Sequence, residues 1–364
     1  MKGRIIRDIT PSPENRRNSE GSFITLKDGS ILFAYSRFGN QGDRDESASD
    51  IYGVLSYDNG ESFGEPFPLF KRQDADATNI MSASLQRMAN GDLGLFFLAK
   101  RDPLLCLPHL VRSKDEGKTW SKPVCCVQRD GYFILNNDRV IRLPNGRLLL
   151  TMASHETGMV NGVLGYLDKP GYFEAYASDD DGYTWFALNE PFTLPIGRAL
   201  HYGVQEPGAV VLKDSRIWSF IRNDSGRQYE TFSSDNGVTW TPPVPSAFTA
   251  PPSPMTAKRL SDGRIMAVWN PIPLHPLNPE GVDYEGVGYF WNWGRTPLVY
   301  ALSEDETETF GRCTKLETGD EHGYCYAAIY EVSDGVLLGY NAGGMEDSGM
   351  LNRLRIRKIP MSEL

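Results

Sequence analysis

Tyr326, Glu206 and Arg222 could do chemistry together if the chain brought them to one place: a phenol, a carboxylate to take its proton, and a guanidinium to hold an anion. Their spacing is regular. CYAAIYEVSDG places Tyr326 nine residues before its turn glycine, Gly335, and QEPGAVVLKDS places Glu206 nine residues before the turn residue Ser215. The same count back from four further turns reaches Glu20, Ser82, Asn137 and Pro254. Arg222 ends the run after Glu206, Arg295 opens RTPLVYALS, and Arg139 stands two residues beyond Asn137 in NNDRV. Paired Arg forks bind a carboxylate with both charge and orientation. A phenol against a carboxylate can become a nucleophile. The segment GNQGDRDESASD (39–50) adds Asp43, Asp45 and Asp50, any of which could protonate a leaving group if desolvation raised its pKa.

The elements that must position these groups are written in two interleaved repeats. One is a turn signal followed by an apolar run: LKDGSILFAYS (26–36), MANGDLGLFFL (88–98), LPNGRLLLTMA (143–153), LKDSRIWSFIR (212–222), LSDGRIMAVWN (260–270) and VSDGVLLGYNA (332–342). Asp-Gly or Asn-Gly before β-rich residues is the short-range mark of a hairpin. The other repeat is the box SSDNGVTW (233–240), with copies SYDNGESF (56–63), SKDEGKTW (113–120), SDDDGYTW (178–185) and a worn SEDETETF (303–310). The boxes start 55 to 70 residues apart, so six four-stranded antiparallel units account for the chain. The fold class expected is all-β, a six-bladed β-propeller in one domain spanning 1–364, because radial repetition leaves only short, protected edges. The N-terminal GRIIRDI would supply the missing outer strand of the last blade.

In that geometry the boxes are turns at the bottom rim and the innermost strands begin at the top of the central channel. Five boxes spread around a rim cannot converge on one ligand, and their Asp, Gly and aromatic residues suit turn chemistry. The strand heads do converge. A wet channel lined by polar residues would account for any one of them alone. Long segments at 154–171 and 271–294, rich in Gly, Pro and aromatics, could wall a pocket there.

Composition narrows the classes of function. A net charge of −10 disfavours nucleic acid and anionic membrane surfaces as partners, since both need a basic face. No CxxC or HExxH spacing calls for a metal, so neither metal nor cofactor is expected. Five cysteines, an odd number, do not read as a disulfide framework. The N-terminus has no apolar core of a signal peptide, so the chain as written reads as cytoplasmic; a secreted or periplasmic protein shorn of its leader would look the same.

From about residue 20 onward the sequence resembles the sialidases, the Asp-box or BNR-repeat propellers. Sialidases depart from the two-carboxylate pattern of most glycosidases in using a Tyr nucleophile. The resemblance implies that Tyr326 is that nucleophile, Glu206 its activating base, Arg222 and Arg295 two of three arginines for a substrate carboxylate, and Asp45 the acid/base, with Asp43 and Asp50 as alternatives. It implies a retaining, exo-acting hydrolase that releases a terminal acidic sugar from a glycan. One feature departs from the family: the Arg-Ile-Pro that supplies its first arginine is replaced by NSEGSF, with Ser19 and Glu20 at that point. Arg16, Arg17 or Arg139 could stand in for it. Alternatively Glu20 pairs with Arg222 or Arg295, which would suit a neutral or differently acidic sugar such as a uronic acid, another ulosonic acid or an arabinose-type residue. Non-catalytic glycan- or protein-binding propellers also carry the boxes.

Overall fold

The computed structural model describes residues 1–160, 163–166, 170–195, 202–272 and 293–364; of the expected pocket walls, 271–294 lies almost wholly outside these residues, and 154–171 does so at 161–162 and 167–169. The described chain is all β apart from single turns of 3-10 helix. Sheet 1 runs Arg17–Thr25, Ile31–Phe38, Ser49–Ser56, Phe67–Phe70, in chain order from its inner to its outer strand. Sheet 2 (Asn79–Arg87, Leu93–Asp102, Leu105–Ser113, Val124–Cys125), sheet 4 (Gln205–Val211, Ile217–Arg222, Arg227–Ser233, Val244–Thr249) and sheet 5 (Thr256–Arg259, Ile265–Trp269, Leu298–Ser303, Thr314–Glu317) repeat this meander. Sheet 6 follows Cys325–Val332, Gly335–Asn341 and Leu354–Pro360 with the N-terminal strand Arg4–Ile9, paired antiparallel to Leu354–Pro360.

Sheet 3 is irregular. Its inner edge is split into Tyr132–Ile134 and Ile141–Arg142, both paired to Leu148–His155, and Tyr132 also bridges in parallel to Cys106 of sheet 2. Its outer strands are Tyr172–Ser178 and Phe186–Ala187.

Middle strands such as Ile31–Phe38 and Leu148–His155 are buried almost throughout, as expected of sheets covered on both faces. The covering comes from the neighbouring sheets. Leu32 and Phe97 share a cluster between sheets 1 and 2, Phe96 and Leu150 between 2 and 3, Phe173 and Ile221 between 3 and 4. Trp218 and Trp269 join sheets 4 and 5, Val268 and Leu338 join 5 and 6, and Phe33 and Leu337 join 6 back to 1.

Each box closes a turn between the third and fourth strands. In the copy at 233–240, Asp235 Oδ1 accepts from Ser233 Oγ (2.9 Å) and Thr239 N (2.8 Å), its Oδ2 accepts from Thr239 Oγ1 (2.6 Å), and Gly237 N donates to Ser233 Oγ. The turn needs left-handed backbone at Asn236 and Gly237 (φ 60° and 89°). The box aromatics then pack across to the preceding sheet: Trp240 on Phe173, Trp120 on Phe70, Trp185 on Phe96 and Phe310 on Phe248.

Candidate active site

The inner strands carry a second set of left-handed residues. Glu20, Ser82, Glu206 and Tyr326 have φ of 54°, 61°, 42° and 57°, at bulges where the pairing with the next strand slips: Ser19/Ser22, Met81/Ser84, Gln205/Gly208 and Cys325/Ala328. None of the four is glycine, and each such conformer costs about 1–3 kcal/mol. The bulge re-aims a side chain that regular pleating would place on a sheet face. All four line one cavity of about 280 Å³.

One wall of the cavity holds the nucleophile-like group. Tyr326 Oη donates to Glu206 Oε1 at 3.0 Å, and Glu206 Oε2 accepts from Arg222 Nη1 at 2.5 Å. Arg222 Nη1 also lies 3.4 Å from Tyr326 Oη. Burial, then the Glu206 charge, pushes the Tyr326 phenol well above its ordinary pKa, against the pull of Arg222 and Arg295. The resting group is therefore a neutral phenol, with Glu206 placed to accept its proton.

Arg295 lies 5.4 Å from the centre of the Tyr326 ring and donates to Cys325 Sγ at 3.1 Å. It is 4% exposed and has no carboxylate partner among the described residues. The Nε atoms of Arg17, Arg222 and Arg295 are buried donors without a partner there.

Another part of the lining is occupied by paired charges. Arg17, fully buried and stacked on Phe38, reaches Asp45 Oδ1 at 2.6 Å, Glu20 Oε1 at 3.4 Å and the Asp43 carbonyl at 3.2 Å. Glu20 thus pairs with Arg17, not with Arg222 or Arg295. Its Oε2 accepts from Ser82 Oγ at 2.7 Å. At Asp45, desolvation is outweighed by the Arg17 and Lys100 charges, which hold the carboxyl below its usual range. Lys100, buried at the end of the second strand of sheet 2, donates to the Asp45 carbonyl at 2.9 Å.

The structure brings together Tyr326, Glu206, Arg222, Arg295, Glu20 and Asp45 as cavity lining, with Arg17 behind. Other expected residues stand elsewhere. Asp50 lies within strand Ser49–Ser56 and pairs with Arg72 at 2.7 Å. Asp43 accepts from Asn352 in a separate groove whose rim includes the exposed Arg16. Asn137 ties inner strands together by donating to the carbonyls of Gly21 and Tyr326. Because the inner edge of sheet 3 is broken, its left-handed residue is Asp138 (φ 55°), one position later than the count from the turn predicts. Arg139 is sealed against Phe220 and donates to the Met255 carbonyl at 2.6 Å; burial lowers its pKa to about 10. Pro254 is not part of the cavity lining.

Trp293, from the segment expected to wall a pocket, also lines the cavity, as do Lys100, Tyr132, Asn136 and Gln205, which the sequence alone did not single out. For Lys100 a signal existed: it follows FFLA as Arg222 follows WSFI. Among the described residues no three His, Cys, Asp or Glu side chains are grouped to hold a metal ion.

Six inter-sheet cores, five box turns and a tyrosine–carboxylate–arginine wall define a sialidase-like protein at the level of fold. The BNR repeat-like domain family matches residues 38–338, and the chain belongs to it. No curated protein matches the sequence. Among solved structures, a Dyadobacter fermentans protein of unknown function aligns with TM-score 0.70 and 16% identity over 98% of this chain and 99% of its own. The NanB sialidase of Streptococcus pneumoniae, as a K499G mutant, aligns with TM-score 0.69 and 12% identity over 100% and 71%. The intramolecular trans-sialidase of Ruminococcus gnavus aligns with TM-score 0.69 and 12% identity over 100% and 98%.

Proposed function

We propose that the chain is a single six-bladed propeller and an exo-acting, retaining glycoside hydrolase of the sialidase-like kind, releasing a terminal acidic sugar. The ring is supported by the six apolar clusters, of which the one joining sheets 6 and 1 leaves no sheet pair unsealed. The chemistry rests on one observation: Tyr326 Oη stands 3.0 Å from Glu206 in a cavity with Arg222 and the carboxylate-free Arg295. Tyr326 attacks the anomeric carbon as Glu206 accepts its proton, and Arg222 with Arg295 holds the acidic substituent. The leaving oxygen takes a proton from a second carboxyl of the cavity lining, Asp45 or Glu20.

A second reading keeps the chemistry and changes the sugar. Arg17, the arginine nearest the missing Arg-Ile-Pro, is already engaged by Asp45 and Glu20, which favours a uronic acid, another ulosonic acid or an arabinose-type residue. A panel of chromogenic glycosides decides. Release from the sialoside alone rejects the second reading, and release from another glycoside alone rejects the first. Glycan affinity with no hydrolysis at high protein concentration rejects both in favour of a binding protein.

A further inference from the structure

We infer that Glu20, not Asp45, is the residue that passes a proton to the leaving oxygen and takes one back from water; the inference rests on the glycoside-hydrolase reading above. One guanidinium serves two carboxylates here, and it does not serve them equally. Arg17 Nη1 lies 2.6 Å from Asp45, whereas its Nη2 lies 3.4 Å from Glu20, too long for a strong charge-assisted bond. The close partner of Glu20 is a neutral hydroxyl, Ser82 Oγ at 2.7 Å. Asp45 has a half-exposed side chain and Lys100 beside it as a second cation. Glu20 is 4% exposed.

The charged and titratable groups facing Glu20 come from several elements: Arg17 on its own strand, Asp45 from the loop after Phe38, Cys106 from sheet 2, Glu206 from sheet 4 and Tyr326 from sheet 6. Burial, opposed by Arg17 and reinforced by Asp45 and Glu206, raises the Glu20 carboxyl to about 7. A carboxyl that is protonated near neutrality and can still give up its proton matches the demand on a general acid. An ionised Asp45 locked to Arg17 has no proton to give. The left-handed bulge that turns Tyr326 into the cavity has its counterpart under Glu20, so both groups line the same space from different sheets.

In the first step the Glu20 proton moves to the glycosidic oxygen as the bond from the anomeric carbon to that oxygen breaks and its electron pair stays on the oxygen. Tyr326 Oη forms a bond to the anomeric carbon and its proton passes to Glu206. In the second step Glu20, now a carboxylate, takes a proton from water, the resulting hydroxyl bonds to the anomeric carbon, and the electron pair of the aryl bond returns to Tyr326 Oη, which recovers its proton from Glu206.

The test compares wild type, Glu20→Gln and Asp45→Asn on the 4-nitrophenyl and methyl glycosides of whichever sugar the wild type releases. For Glu20→Gln the expected loss is on the order of 10²- to 10⁴-fold with the methyl leaving group and under about tenfold with 4-nitrophenol, which departs without protonation. The alkaline limb of the kcat/KM profile, expected near 7 in wild type from Glu20 of the free protein, disappears in Glu20→Gln and persists in Asp45→Asn whatever its rate. An unaltered limb in Glu20→Gln, or its loss in Asp45→Asn, overturns the assignment. Infrared difference titration from about pH 5 to 9 reads the protonated carboxyl without turnover. Its band should titrate in wild type and Asp45→Asn and be missing in Glu20→Gln; an unchanged band in Glu20→Gln overturns the assignment. Absence of hydrolysis by wild type sinks the parent reading and this step with it, whereas an active protein with a normal limb in Glu20→Gln sinks this step alone.

Discussion

Left-handed residues recur in two places, the box turns and the heads of the inner strands, and the carboxylates at the centre of each are satisfied differently. In each box the aspartate two residues after the serine finds donors within its own eight residues, and Asp58, Asp115, Asp180, Asp235 and Asp305 are all held below their ordinary pKa values. At the strand heads the bonds also cross between sheets, Ser82 to Glu20 and Tyr326 to Glu206, and burial raises Glu20 and Tyr326. The serine–aspartate bond at the centre of the motif repeats in all five boxes. A site needs unlike residues at like positions, so chemistry lies where the repeat is broken, not where it is loudest.

That contrast can be broken most sharply at Glu206. Replacement by Gln should lower kcat by on the order of 10²- to 10⁴-fold, because the phenol loses its proton acceptor, with little change in melting temperature. Wild-type-like turnover would remove Glu206 from the chemistry. A stability measurement follows from Glu20. Its folded value near 7 lies above the ordinary carboxyl value of 4.5, so the stability it contributes is complete below 4.5 and is lost as pH rises through 7. Between roughly pH 5 and 8 the wild type should lose on the order of 2–3 kcal/mol more than Glu20→Gln, read from urea midpoints. Parallel curves for the two proteins would contradict the raised value.

At the scaffold end, Asp235→Ala removes the acceptor of Thr239 N and Oγ1 and should cost about 1–3 kcal/mol with kcat intact. A drop in kcat without a drop in stability would make the box part of the site. The smallest effect is expected at Thr307, which takes φ 78° where the other boxes have glycine. Thr307→Gly should stabilise by about 1 kcal/mol, a degree or two in the melt. Destabilisation would mean that its side chain matters more than its strain.

Much of this contrast was legible in the residues. Turn spacing located Glu20, Ser82, Glu206 and Tyr326, because a hairpin turn and a fixed strand length set the register of each inner strand. In sheet 3 the count missed by one, since NNDRV interrupts the inner strand and no turn signal reports an interruption. Neighbours in an extended strand point to opposite sides, so Arg17 is buried while Arg16 is exposed, and only the strand's facing decides between them. Asp50 closes the same segment as Asp43 and Asp45 in the sequence, yet the sheet pairs it with Arg37 across the ladder. The Arg17–Asp45 contact joins residues 28 apart and depends on loop shape, which no periodicity encodes.

The central claim is that Tyr326, at the head of the last inner strand, is the nucleophile. The most direct measurement is turnover of the chromogenic panel by Tyr326→Phe, with a thermal melt of the same preparation. The account predicts a fall of on the order of 10³-fold or more with cooperative melting retained, since the phenyl ring still fills its place while the attacking oxygen is gone. Turnover within a few fold of wild type in a folded Tyr326→Phe protein would contradict it.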